Sequence, residues 1–280
     1  MRTMFDAHAH LQDPRLDACR DAALAAAARA GVAGICCCAT APADWDAVAA
    51  LTRTPPADAP PLLVPAFGLH PWYTAAPAAG WADALDALLL ARPRAVVGEC
   101  GLDGVRRDVP PERQREALRC QLEAAARHGR PVVLHGARAW GPLLDAVRPF
   151  AGRLPAFVAH SFGGSREILR AWLALGGFVS FSGILCNPAA TRARAAAAAT
   201  PDDRLLVETD APDLFPAGGF PCPGYAATDA RAPGPNHPAN LPLVLAALAE
   251  IRHTPSETLA ALTAANARRT FNCGETLASR

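Results

Sequence analysis

Near the start of the 280-residue chain, Phe5–Asp6–Ala7–His8–Ala9–His10 places two imidazoles two residues apart. In an extended segment, residues i and i+2 point the same way, so a strand here would turn His8 and His10 toward one metal ion and serve as its stiff mount. The same spacing also fits an exposed polar strand end, or one ligand beside an ordinary surface histidine. Further residues of the same chemical kind follow short apolar runs. Glu99 comes after Ala95–Val96–Val97–Gly98, His135 after Val132–Val133–Leu134, His160 after Phe157–Val158–Ala159, and Asp210 after Leu205–Leu206–Val207–Glu208–Thr209. His70 stands in the same relation to Leu62–Phe67. Taken singly, each histidine is explained as a satisfied, partly buried side chain. Their shared position after apolar runs is harder to explain that way.

Nitrogen and oxygen donors together suit borderline divalent ions such as zinc or manganese, and a carboxylate lying between two ions can bridge them. Such a pair acidifies water, polarises a phosphoryl or carbonyl oxygen and offsets charge on a leaving group. The residues therefore point to a metal hydrolase.

The elements that must carry these side chains alternate. Strands are predicted at Met4–His8, Val32–Cys38, Leu62–Phe67, Ala95–Gly98, Pro131–Leu134, Ala156–Ala159, Gly177–Ser180 and Leu205–Glu208. Between them the sequence predicts helices from Pro14 to about Ala30, where Gly31 ends the first, and over Ala43–Leu51, Trp81–Leu90, Pro111–His128, Ala139–Val147, Ser165–Leu173 and about Pro188–Ala198. Eight strand and helix units in one chain argue for an α/β fold closed into a TIM-like barrel, with residues 1–280 as a single domain. In that architecture the carboxyl ends of the strands share one face, where active sites are built. His8, His10, Glu99, His135, His160 and Asp210 would then meet at one mouth.

Composition agrees with one large core. Hydrophobic residues make up 51% of the chain, and the formal net charge is +1, so no global field draws it to a polyanion and any nucleic-acid contact has to be local. Nine cysteines, an odd number that includes the run Cys36–Cys37–Cys38 and no CxxC pair, do not resemble a disulfide framework. They fit free thiols in a reducing cytoplasm. The start lacks a basic region followed by an apolar run of signal length, and no apolar stretch is long enough for a membrane span. No obligate protein partner is evident.

Seven segments also carry a resemblance. Phe5–Asp6–Ala7–His8–Ala9–His10–Leu11, Phe67–Gly68–Leu69–His70–Pro71, Val97–Gly98–Glu99–Cys100–Gly101–Leu102–Asp103, Val133–Leu134–His135, Ala159–His160–Ser161–Phe162–Gly163–Gly164, Glu208–Thr209–Asp210–Ala211–Pro212 and Asn266–Ala267 resemble, in order, the motifs of TatD-type metal-dependent deoxyribonucleases. The resemblance implies a distorted β/α barrel and two divalent ions, magnesium, manganese or zinc. It implies that His8 and His10 hold one ion together with Asp210, that Glu99 bridges the pair, and that His135 and His160 complete the coordination of the second ion. Asp210 would also orient or deprotonate the attacking water. His70 matches a position near the substrate, where it would contact a phosphate oxygen or the leaving group, or orient a ligand instead. The implied activity is hydrolysis of phosphodiester bonds in nucleic acid, DNA above all, often from the 3′ end of a single strand.

Two departures bear on substrate contacts. Ala137 stands where many members have arginine, with Arg138 beside it to compensate. Pro235–Asn236–His237–Pro238 stands where many have an Arg-Asn pair before proline, so Asn236 is expected to keep a substrate contact without its arginine neighbour. Phe215, Phe220 and Tyr225, in the glycine- and proline-rich stretch from Pro212 to Pro238, either stack on a base or anchor the loop. Gly163–Gly164 either offers amides to a phosphate or forms a turn. A hydrolase of another ester or an amide on the same scaffold, and a metal-binding protein without activity, are the competing readings. A basic groove at the mouth would favour nucleic acid, and a closed narrow pocket a small ester.

Overall fold

The computed structural model describes residues 4–53, 61–225 and 234–273. Strands β1 (Met4–Ala9), β2 (Val32–Cys38), β3 (Leu62–Phe67), β4 (Val96–Asp103), β5 (Val132–Ala137), β6 (Phe157–Ala159), β7 (Phe178–Phe181) and β8 (Leu205–Val207) lie side by side in chain order, each parallel to the next. Helices α1 (Arg20–Arg29), α2 (Trp45–Leu51), α3 (Trp81–Ala91), α4 (Pro111–His128), α5 (Trp140–Val147), α6 (Arg166–Ala174) and α7 (Thr191–Ala199) fill the connections, and α8 (Leu241–Arg252) and α9 (Ser256–Thr270) follow β8. The fold is the expected TIM-like β/α barrel.

Local sequence explains the clearest helix. In α4, Pro111 occupies the first turn with Glu112, Arg127 and His128 lie in the last, and Gly129 closes it in the left-handed region at φ 61°. The first helix is a correction. Only Pro14–Leu16 and Arg20–Arg29 are helical, because Leu16 and Cys19 tuck under the segment after β8 to pack with Ala23 and Cys222, which pulls the intervening residues out of line. α7 likewise starts at Thr191, past Pro188.

Inside the barrel, Phe5, Cys36, Cys38, Val64, Val96, Val133, Val158, Phe178 and Leu206 form the packed core, and Phe271 at the end of α9 stacks on Phe5 at 5.7 Å to plug the amino-terminal end. All nine cysteines are unbridged, and the Cys36–Cys38 run is fully buried as core thiols.

The seam between β8 and β1 is closed differently from the rest. The Asp6 carboxylate accepts from Thr209 N (2.9 Å) and Thr209 Oγ1 (2.5 Å), Asp210 N donates to His8 O (3.0 Å), and His10 N donates to Ala211 O (2.6 Å). A side chain thus replaces part of a ladder, and the barrel is distorted there.

Candidate metal centre

Two irregularities in the sheet aim the ligands. From Asp6 to Ala9 strand β1 advances three residues while β2 advances two, from Ile35 to Cys37. From Val97 to Cys100 strand β4 does the same against Val132 to Leu134 of β5. An extra residue interrupts the strict alternation and turns two neighbours to one side. In β1 it brings His8 inward after Ala7, in line with His10; in β4 it does so for Glu99 after Gly98. Gly98 suits this position because φ is 151° and a Cβ would lie 2.9 Å from Val133 O. Glu99 therefore lies within β4 and not, as expected, just after its strand.

The donors converge as the spacing implied. His8 Nε2 lies 3.1 Å from His10 Nε2, 3.2 Å from Glu99 Oε2 and 3.5 Å from Asp210 Oδ1. His10 Nε2 lies 3.3 Å from the same glutamate oxygen and 3.7 Å from the same aspartate oxygen. An ion with bonds of about 2.0–2.1 Å sets tetrahedral donors about 3.3 Å apart, so the spacing of His8 and His10 from each other and from each of these carboxylate oxygens fits such an ion. The other glutamate oxygen, Oε1, faces a second group: His135 Nδ1 and His160 Nε2, each at 2.9 Å, and His70 Nε2 at 3.4 Å.

Outer partners fix which nitrogen of each ring faces inward. His10 Nδ1–H donates to Cys38 O (2.7 Å), His135 Nε2–H to Asp103 Oδ2 (3.1 Å) and His160 Nδ1–H to Glu208 Oε1 (3.3 Å). In its neutral form each ring would therefore offer its other nitrogen, on the Glu99 side, as an acceptor for a metal ion. His70 is reversed. Its Nδ1 accepts from Trp72 N (3.2 Å), so the neutral ring carries its proton on Nε2 and offers a donor where the other rings offer acceptors. Burial lowers the His70 pKa to about 4, which keeps it neutral near pH 7.

Burial and the mutual charges of these donors shift their proton affinities in opposite directions. Burial pushes Asp210 up to about 7 against the opposing pull of His160 and His10. Burial would strip His10 of its proton, but Glu99 and Asp210 outweigh it and hold that ring at about 9. Burial also raises Glu99, yet the surrounding imidazoles leave it well below the ordinary carboxylate range. Protons here stand where divalent ions fit, and the donor set matches such ions.

The centre forms the floor of an open cavity of about 710 Å³. Arg138 reaches its wall with no ion pair among the described residues, whereas Arg15 is paired with Asp13 and Asp213. Asp13, Asp44, Glu99, Asp210 and Asp213 also line the cavity, so the mouth is open but not basic.

Asn236 is a correction. It is buried, its Nδ2 donates to Thr209 O (2.9 Å), and its oxygen accepts from His237 N (2.8 Å) and Asn240 Nδ2 (3.0 Å). With its polar atoms consumed it braces the strand end that carries Asp210 and has none left for substrate. The aromatic residues of the Pro212–Pro238 stretch also lie off the cavity. Tyr225 packs on the cluster around Cys19, while Trp72, Tyr73 and Trp140 line the wall. Residues 226–233 of that stretch lie outside the described residues. Of the glycine pair, Gly163 reaches the cavity and Gly164 packs by Phe162.

Sequence reading passed over Asp103 and Glu208, which orient His135 and His160, and Gln114 and Gln121 on α4. Gln121 accepts from Leu69 N (2.7 Å) and donates to Leu69 O (3.1 Å) beside His70; Gln114 clamps Asp103 N (2.7 Å) and Asp103 O (3.1 Å). Two amides two turns apart on the face with Leu118 and Leu122 were the available signal.

The family model described as TatD related DNase matches residues 5–272. The chain belongs to this TatD family. It is 34% identical over 277 residues to the 3'-5' ssDNA/RNA exonuclease TatD of Musicola paradisiaca (strain Ech703), covering 97% of this chain and 99% of that one. It is 33% identical to the protein of the same name from Erwinia tasmaniensis, covering 96% and 100%. Among solved structures, YJJV, a TatD homologue from Escherichia coli K12, superposes with a TM-score of 0.82 at 32% identity, covering 96% of this chain and 98% of that one. A TatD family hydrolase from Entamoeba histolytica, 20% identical with a TM-score of 0.83 and coverage of 96% and 98%, shares the fold. No helix among the described residues is long and apolar enough to cross a membrane.

Proposed function

We propose that this TatD family member is a two-metal phosphodiesterase that shortens single-stranded nucleic acid from its 3′ end. The observation that carries the reading is the division of Glu99, with Oε2 facing His8 and His10, which Asp210 also approaches, and Oε1 facing His135 and His160. The exonuclease names of the relatives supply the substrate class, with DNA favoured. Nine unbridged thiols support a cytoplasmic setting.

Two divalent ions, when bound, supply Lewis-acid polarisation of the phosphoryl oxygen and acidify water. Mixed nitrogen and oxygen donors favour zinc or manganese over magnesium. The protein does the rest. Glu99 keeps the two donor sets in register, and Asp210, beside His8 and His10, takes the proton from the attacking water. His70 presents its Nε2–H to the leaving oxygen or a non-bridging phosphate oxygen. Arg138, free of carboxylate partners, grips a phosphate bidentately at the rim. The carboxylates of the mouth oppose a phosphodiester, and bound divalent ions would offset that charge.

The test is a screen of metal-free and metal-loaded protein against end-labelled single-stranded DNA, duplex DNA, RNA and a simple phosphodiester. We expect metal-dependent shortening from the 3′ end of single strands. Turnover confined to carboxylic esters or amides would overturn the proposal.

A further inference from the structure

Six large apolar side chains stand exposed among the described residues: Trp72, Tyr73, Leu90, Val105, Leu214 and Phe220. Three of these, Trp72, Tyr73 and Leu214, line the metal-bearing cavity, so exposed apolar surface is gathered at the mouth. Trp72 is 43% exposed yet held at several points. Its backbone N–H donates to His70 Nδ1 (3.2 Å), its indole Nε1–H donates to Asp103 Oδ2 (2.6 Å), and its ring meets that of His70 edge-on at 4.9 Å. Such a ring is held in place while much of its surface stays open to solvent. A ligand that covers it meets a face already ordered.

The surroundings suit a flat aromatic ligand. The Arg106 guanidinium, paired with Asp108, lies 5.3 Å from the indole centroid, and a guanidinium both stacks on aromatic planes and attracts phosphate. Beyond Trp72 and Tyr73 lies a second cavity of about 330 Å³, lined by apolar residues such as Pro42, Leu69 and Pro77, so this pair forms the wall between it and the metal-bearing cavity. The indole centroid is 6.5 Å from that of His135, within the reach of one nucleotide from the donor set. Asp103 joins the two. The oxygen that accepts from Trp72 is the one that accepts from His135 Nε2–H (3.1 Å).

We propose that Trp72, flanked by Tyr73 and Arg106, is the stacking platform for the nucleobase of a nucleotide next to the scissile phosphate. The proposal rests on the nuclease reading above. Every base has a π-face, so this contact tolerates sequence while rejecting phosphodiesters that lack a planar neighbour. Through Asp103, the platform sets the strand in register with His135 and Glu99.

The test compares metal-loaded wild type, Trp72→Phe and Trp72→Ala on 5′-labelled single strands that are intact or abasic at the terminal or the penultimate nucleotide. Stacking of about 1–3 kcal/mol per base corresponds to roughly a tenfold rise in KM when the stacked base is removed from the wild-type substrate. Trp72→Ala should raise KM on the intact strand by a similar factor and be indifferent to the missing base. Trp72→Phe keeps a ring but loses the N–H to Asp103; it should retain most of the base discrimination even where kcat falls. The platform is refuted if wild type cleaves intact and abasic strands alike, or if the alanine and abasic losses multiply to about a hundredfold. A wild-type enzyme that cleaves none of the strands refutes the nuclease reading itself, and the platform with it.

Discussion

Asp210 enters the donor set from a left-handed backbone position, φ 54°, with its N–H tied to His8 O and Asn236 bracing the residue before it. Asp210→Asn keeps the size and one oxygen ligand but removes the charge that accepts a proton. We expect kcat to fall about a hundredfold or more, with KM changing far less. Steady-state kinetics alongside metal analysis check this, and near-normal kcat in a metal-loaded variant would leave Asp210 as a ligand only. His10 gives a second prediction at the same scale. Its proton, held up to about 9 in the metal-free protein, has to leave before Nε2 can ligate, so metal affinity rises with pH. Between pH 6 and 9 we expect roughly a tenfold gain in affinity per pH unit for each proton released, measured by calorimetry in buffers of different ionisation heat. A flat profile with no buffer dependence would contradict it. The six candidate donors were legible from the two-residue spacing of His8 and His10 and from the apolar runs before Glu99, His135, His160 and Asp210. Asp103 and Glu208 were not, since their role depends on which ring nitrogen faces outward, a fact of tertiary structure. Asn236 was misread because a sequence shows an amide but not its burial.

At the level of elements, strand and helix alternation was readable from apolar runs and turn residues, and α4 agreed at both ends. The bulges in β1 and β4 were invisible, because a bulge is a property of two strands in register and neither strand shows it alone. The seam was equally hidden. Asp6, whose carboxylate accepts from three donors, looks in sequence like a polar residue on an apolar strand. Asp6→Ala would strand His8 N, Thr209 N and Thr209 Oγ1 in the interior. We expect a loss of about 3 kcal/mol in unfolding free energy and weaker metal retention, since both His8 and Asp210 hang from this seam. Urea denaturation with elemental analysis tests it; unchanged stability would mean that Asp6 does not hold the barrel closed.

For the molecule as a whole, a formal charge of +1 gives no long-range attraction to nucleic acid, and the mouth itself bears five carboxylates against two arginines, Arg15 and Arg138. In the two-metal centre proposed above, substrate binding and catalysis would both depend on ions held on either side of Glu99. This dependence is read most directly by anomalous diffraction from manganese-loaded crystals collected above and below the metal absorption edge. Two peaks about 3.5–4 Å apart, one beside His8, His10 and Asp210 and one beside His135 and His160, with Glu99 touching both, are predicted. A single peak at saturating metal, or two peaks of which Glu99 reaches only one, would contradict the account.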